Sequence, residues 1–285
     1  MLVLLGPSFA GGDAEYQRLS SVTGMVAYDL RARLKPGMWG LVKALADEVE
    51  ARRLARALEA EGFPTVVMAR EVAGDPERPI VWLKGLSIDE QQLTLRLSER
   101  SMTFAAGALC SIVRGEAQVG KGSSGRMASP GSATSSSTFR AVVPNADDLQ
   151  VFRESPQASF EAFAAADLHF HSVTWIARID ARSFDFRELG IVASSPASAL
   201  DTLVDRLGLL CRVRVDRSAR ASSVSSFAQQ AARTVGPHSV PPPSSVSSRS
   251  KEIAGDDRFD PYSRVIGEAE RLLAAQQAEP APLKA

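Results

Sequence analysis

The chain has 285 residues, 45% of them hydrophobic, with 33 basic against 33 acidic side chains and two cysteines. That length fits about two domains, and balanced charge excludes a global electrostatic pull toward nucleic acid or an anionic membrane. No apolar run approaches the roughly 18 residues that span a bilayer, and Met1-Leu-Val-Leu-Leu-Gly6 is too short for a signal peptide, so a cytoplasmic protein without membrane insertion is expected.

Basic residues are 27 Arg and six Lys, a bias found in every segment that reads as the composition of a GC-rich bacterial genome. In chain order, Leu2–Leu5 reads as a short buried strand. Asp13 caps a helix over Ala14–Val22 that ends at Gly24. Met25–Leu34 alternates, with Val26, Tyr28, Leu30 and Ala32 on one side, and predicts a strand. Trp39–Leu45 predicts another. Asp47 caps a helix over Glu48–Glu61, in which Ala51, Leu54, Ala55 and Leu58 share a face, and Phe63–Val72 closes the unit.

The order βαββαβ over 1–74 predicts a ferredoxin-like sandwich. Trp39-Gly-Leu-Val-Lys43, Ala51, Leu54, Leu58 and Gly62-Phe-Pro-Thr-Val-Val67 also resemble the repeat unit of SPOR domains, about 39–72. That resemblance implies binding of denuded cell-wall glycan by the 39–67 unit, which would need export.

Residues 79–119 change to short strands and hairpin turns: Ile80–Leu86, then Leu93, Leu95 and Leu97 alternating with Thr94 and Arg96, then Ser101–Phe104 and Leu109–Val113. Leu86-Ser-Ile-Asp-Glu-Gln-Gln-Leu-Thr-Leu, Met102-Thr-Phe and Ile112-Val-Arg-Gly-Glu116 are similar to the front half of bacterial pleckstrin-homology-like domains. After a break come strand-like Phe139–Val143, Asp167–Phe170 and Val173–Ile179, then a helix over 196–207 capped by Ser194 or Ser195 and closed by Gly208. The resemblance implies one barrel-like β domain over about 79–208, within 79–216; a separate α+β domain over 139–216 is the competing architecture. The class expected for the whole chain is α+β.

The break, Gly120–Thr138, carries seven Ser and four Gly and reads as a flexible insertion. It begins with a near-copy of a phosphate loop, Gly115-Glu-Ala-Gln-Val-Gly120-Lys121-Gly122-Ser123. Gly122 stands where the magnesium-holding hydroxyl belongs, and Pro130 opposes the helix a phosphate would need, so a tether is expected. Residues 217–258, rich in Ser, Ala and Pro, predict a disordered linker. Within 259–276, Asp260-Pro261 places a cap and an N1 proline before a helix over Tyr262–Gln276, with Tyr262, Val265, Ile266, Ala269, Leu272 and Leu273 in an apolar stripe.

Candidate chemistry is thin. On a strand, period two puts Asp167, His169 and His171 on one face, with Leu168 and Phe170 on the other, a candidate zinc or iron(II) set. Asp180, Asp185 and Glu188 alternate with Arg178, Arg182 and Arg187, which reads as an ion-pair face rather than acid–base machinery. Arg52, Arg53 and Arg56 are surrounded by Glu and read as a solvated helix face without nucleic-acid contact. Cys110 and Cys211 lie in apolar runs as reduced core thiols. The expectation is a non-enzymatic regulatory or scaffolding protein without cofactor, with the 262–273 stripe docking into a protein partner or onto its own chain. A metal enzyme or sensor on Asp167, His169 and His171 is the rival.

Overall fold

Four consecutive apolar residues, Leu2–Leu5, form strand β1, and all four are buried. A strand apolar on both faces needs cover on both, and the chain supplies it. The computed structural model describes residues 1–75, 77–89, 91–120, 160–217 and 259–278. They form a mixed α+β structure with five helices and three sheets.

β1 is the central strand of the first sheet, antiparallel to β2 (Gly40–Ala44) and β3 (Thr65–Met68), in the order β2-β1-β3. Helices α1 (Asp13–Thr23), α2 (Ala27–Arg33) and α3 (Glu48–Ala60) cover one face. There Val3, Leu5 and Val42 pack with Tyr16, Leu19, Leu30, Leu34, Ala55 and Leu58. Capping chemistry sets the helix bounds. Asp47 accepts the Val49 N–H at 2.9 Å, and Gly24 and Gly62, at φ 70° and 82°, adopt the left-handed conformation that ends α1 and α3.

α2 overturns the strand expected over Met25–Leu34. Two periods overlap in that segment. Alternation would bury Val26 and Tyr28, yet both are exposed, while Leu30 and Leu34, four apart, are buried. Ala27, Leu30, Arg31, Ala32 and Arg33 are strong helix formers, and only Val26 is β-branched, so propensity and the four-residue spacing win. The unit is therefore βααβαβ with three strands, one short of the four a ferredoxin-like sandwich requires.

Expected strand Ile80–Leu86 divides in two. β4 (Ile80–Trp82) joins a five-stranded sheet, whereas β5 (Gly85–Ile88) leads a separate meander with β6 (Gln92–Arg96) and β7 (Ser101–Ala105). The five-stranded sheet adds β8 (Leu109–Gly120), β9 (Phe160–Phe170), β10 (Ile176–Asp180) and β11 (Arg214–Asp216), in the order β11-β8-β9-β10-β4. β8 and β9 run antiparallel from Leu109↔Phe170 to Gly120↔Phe160, so the two segments flanking the break share one sheet. The rest of the break and the strand expected at Phe139–Val143 lie outside the described residues. β4 pairs with β10 in parallel, and β11 with β8 in parallel. Both pairings depart from an all-antiparallel barrel.

β9 divides its residues between two cores. Ala166, Leu168 and Phe170 face the meander and α4 (Pro196–Cys211), whose Leu200, Leu203, Val204 and Leu207 fill the space between. Phe163 and Ala165 face the other way, toward the last helix. Ser195 caps α4, but Gly208 does not end it: the helix runs on to Cys211. A Cβ at Gly208 would meet Val215 Cγ2 at 2.9 Å, so glycine is needed there for the close approach of β11.

α5 (Phe259–Ala278) is the middle layer of the molecule. Its Tyr262, Val265, Ile266 and Ala269 share one core with Leu2, Leu4, Leu41, Val66 and Met68 of the first sheet, and with Val113, Ala117, Phe163 and Ala165 of the second. Leu272 and Leu273 pack at its margin. Ser263, Gly267 and Glu268, on the side away from that stripe, are buried too. Burial on both the stripe and the side away from it through Ala269 is what a position between two sheets demands, while Ala275–Ala278 are exposed.

Candidate functional site

The chemistry-bearing side chains converge where α5 crosses β9 and β10. Period two turns Asp167 and His169 of β9 toward the helix. Arg178 of β10 stands directly across from Asp167 in the ladder. Its Nε and Nη2 donate to the two Asp167 oxygens at 2.6 and 2.7 Å, with both side chains almost fully buried. Its Nη1 reaches Asp260, in the first turn of α5, at 2.6 Å. The guanidinium carbon also lies 4.8 Å from the Phe259 ring centroid. Burial opposes the Arg178 charge, but the Asp167 and Asp260 carboxylates outweigh it and hold its pKa above the ordinary arginine value.

Ser263 closes the network. Its hydroxyl donates to Asp167 Oδ2 at 2.6 Å, which commits its single proton. The 3.0 Å contact between His169 Nε2 and Ser263 Oγ then requires an Nε2–H that donates to the serine oxygen. Burial pushes the His169 pKa down to about 4; Asp167 pulls upward, and the Arg78, Arg178 and Arg264 charges push downward. The other edge of the ring lies against Gly267, where a Cβ would fall 2.5 Å from His169 Cγ.

Around this centre, further polar groups of α5 are also engaged. Tyr262 Oη is 3.2 Å from both Asp216 carboxylate oxygens. Arg264 donates to the carbonyls of Asp75 and Arg78 at 2.6 and 2.5 Å. Arg78 pairs with Glu268 at 2.7 Å. The Trp39 indole donates to Glu270 at 2.7 Å. α5 is thus tied to both sheets and to the segment between them.

Ser263, His169 and Asp167 have the composition of an acyl-transfer triad, but the connections are wrong for one. A triad needs the carboxylate on His Nδ1 and a serine that gives its proton to Nε2. Here the carboxylate takes the serine proton, and Ser263 and Asp167 have no exposed surface. The arrangement holds α5 in register and leaves no room for substrate.

The metal reading fares no better. Asp167 and His169 do share a face, but His171 lies beyond the end of β9, exposed in a turn, with its N–H bonded to the Ala108 carbonyl. Both Asp167 oxygens already accept from Arg178, and a dication would have to displace or oppose that guanidinium. Among the described residues, no group of three or more His, Cys, Asp or Glu can hold a metal ion. The donor set does not fit a zinc or iron site.

The other expected constellations take structural positions. Gly115–Gly120 of the phosphate-loop-like string is strand, paired across to Ala165–Phe160, while Lys121–Ser123 lie outside the described residues. Among the acidic residues alternating with arginine, Asp180 pairs with Arg182 and Glu188 with Arg96, while Asp185 accepts the Arg187 N–H. Arg52 pairs with Glu48 on the open face of α3. Both cysteines are free, and burial raises the Cys110 thiol to about 11. The 39–67 unit has both sheet faces covered, by α1–α3 and by α5. The 262–273 stripe meets its own chain, so as a docking face it is occupied.

The residues that sequence reasoning missed are Ser263, Gly267, Glu268 and Glu270; Asp260, expected as a cap, lies instead inside the first turn of a helix that begins at Phe259, and pairs with Arg178. One signal was present: Ser263 and Gly267, four apart, form a small, polar second face opposite the stripe. Among the described residues, no helix is long and apolar enough to cross a membrane. No protein-family model, curated protein or solved structure matches the chain.

Proposed function

We propose that the protein is a non-enzymatic regulatory or scaffolding component that acts through protein–protein contacts in the cytoplasm. One observation carries this reading: the side chains with catalytic potential, Asp167, His169, Ser263 and Arg178, are spent on docking α5 between two sheets. A buried ionic network adds little net stability over a well-packed apolar one. Its use here is specificity: Ser263 and Asp260 meet His169, Asp167 and Arg178 together at one placement of the helix, so α5 is held in a single register. The result is one rigid frame that carries its outer surfaces in fixed relation.

In this reading the 79–216 unit is a pleckstrin-homology-like variant, a meander followed by a second sheet and a closing helix, with β4 and β11 added as parallel edges. The 1–74 unit is a ferredoxin-like sandwich in which α2 has replaced one strand. Crosslinking affinity purification of the full chain from its native cells, followed by reconstitution with each purified candidate, tests the proposal. The expected result is a stoichiometric complex of purified components. Turnover of a substrate by the purified chain, with no reconstituted complex, would overturn it.

A further inference from the structure

A cleft of about 330 Å³ opens on the side of the second sheet away from α5, between the meander and α4. One wall is made by Leu86, Ser87 and Ile88, three consecutive residues of β5. Consecutive side chains of a strand point to opposite faces. A cleft that touches all three therefore runs along the edge of the strand, where its backbone lies. Among the described residues β5 is a terminal strand of the order β5-β6-β7, paired only with β6. A terminal strand presents backbone N–H and C=O groups on its unpaired side.

The opposite wall comes from the 3-10 turn Arg187–Leu189 and from α4. Arg206 of α4 lines the cleft and donates from Nη1 to the Leu189 carbonyl at 3.2 Å, which leaves other N–H groups of its guanidinium to meet a ligand. Arg96 and Glu188, both in the lining, pair with each other. Arg96 lies folded over Gly85, where a Cβ would come within 2.6 Å of its Cζ. Gly85 is thus the residue that lets Arg96 stay beside the cleft. Two guanidinium groups face one carboxylate, so the lining carries net positive charge over an apolar floor of Leu86, Ile88 and Leu189.

We propose that the β5 edge takes up an extended peptide segment of a protein partner as an added strand, with a carboxylate of that segment held by Arg206. The proposal rests on the protein-contact reading and specifies its surface. Main-chain hydrogen bonds to the edge supply affinity, and alternate side chains of the segment enter the cleft. An acidic side chain and a C-terminal carboxylate offer Arg206 the same chemistry, so the test separates them.

The test is an amide NMR titration of the full chain with acetylated Thr-Val-Thr-Val peptides. One ends in a Glu amide, one in a free carboxylate and one in a neutral amide; a fourth set carries N-methyl groups on alternate backbone nitrogens. Saturable shifts are expected at Gly85–Ile88, at least about fivefold tighter with a carboxylate than without, the free-energy scale of one exposed charge-assisted contact. N-methylation on one alternate set abolishes them, and Arg206→Gln removes the carboxylate preference without changing the melting temperature. Whichever carboxylate peptide binds tighter identifies the source. No saturable shift up to about 10 mM, a decade weaker than a millimolar contact, overturns the proposal, as do shifts that map elsewhere. If a reconstituted partner binds the wild-type and Arg206→Gln chains equally, the edge proposal falls while the protein-contact reading stands.

Discussion

Gly267→Ala pits helix propensity against packing. At an exposed helix interior position the change stabilises by about 1 kcal/mol. At Gly267 the new Cβ would lie 2.5 Å from His169 Cγ, near the root of that side chain, so turning the ring about its Cβ–Cγ bond cannot clear it. His169 is also held by its 3.0 Å bond to Ser263, and moving it strands a buried ring N–H. Overpacking costs about 1–3 kcal/mol, and an unsatisfied buried donor about 1–3 kcal/mol more. Set against the propensity gain of about 1 kcal/mol, the substitution should destabilise the chain by about 1–5 kcal/mol. Urea unfolding of the full chain measures it, with constant slope required for the comparison. His169→Ala should lower stability by itself, yet the double variant should recover much of the Gly267→Ala loss, giving a favourable coupling energy in the cycle. If Gly267→Ala is as stable as wild type or more so, α5 does not lie against His169.

Further outcomes follow from the same network. The His169 pKa is depressed to about 4 from an ordinary 6.5, so the folded state binds fewer protons than the unfolded state between those values. Stability is therefore complete above about pH 6.5 and is lost as pH falls toward 4, by about 3 kcal/mol at most. His169→Gln should flatten the difference in urea midpoints between pH 7.5 and 4.5, and an unchanged pH slope would contradict the assignment. Arg178→Met leaves Asp167 fully buried, and Asp260 partly so, without their cation and should cost about 3–5 kcal/mol. Arg96→Met breaks a pair that is nearly half exposed and should cost under about 1 kcal/mol. Thermal unfolding of the two variants under one buffer separates them. Elemental analysis of the purified chain should find no stoichiometric zinc or iron, and zinc lost on His169→Ala would restore the metal reading.

What could be read from the sequence follows the range of the interaction. Asp47 as a cap, Ser195 as one of the two caps expected for α4, and the period-two division of β9 as far as His169 depend on neighbours within a few residues, and the structure has them. His171 falls past the strand end, and Gly12 rather than Asp13 caps α1. α2 was misread because Val26, Tyr28, Leu30 and Ala32 satisfy alternation while Leu30 and Leu34 satisfy a helix. Only the side that meets a core decides, and tertiary packing supplies that side. Gly208 looked like a helix stop because the close approach of Val215 leaves no mark in sequence. The Asp167, Arg178 and Ser263 network was out of reach for the same reason. Arg178 meets Asp167 only through strand register, and Ser263 lies 96 residues beyond it in sequence. The stripe on α5 was legible as apolar, but an amphipathic pattern does not name the surface that covers it.

Amide hydrogen exchange across α5 in the full chain tests most directly whether this helix is the middle layer of its own molecule. If it is docked between the two sheets, the amides of Tyr262–Ala269 exchange as slowly as those of β9, through the same global opening. Exchange of that segment within seconds, while β9 stays protected, would contradict the account.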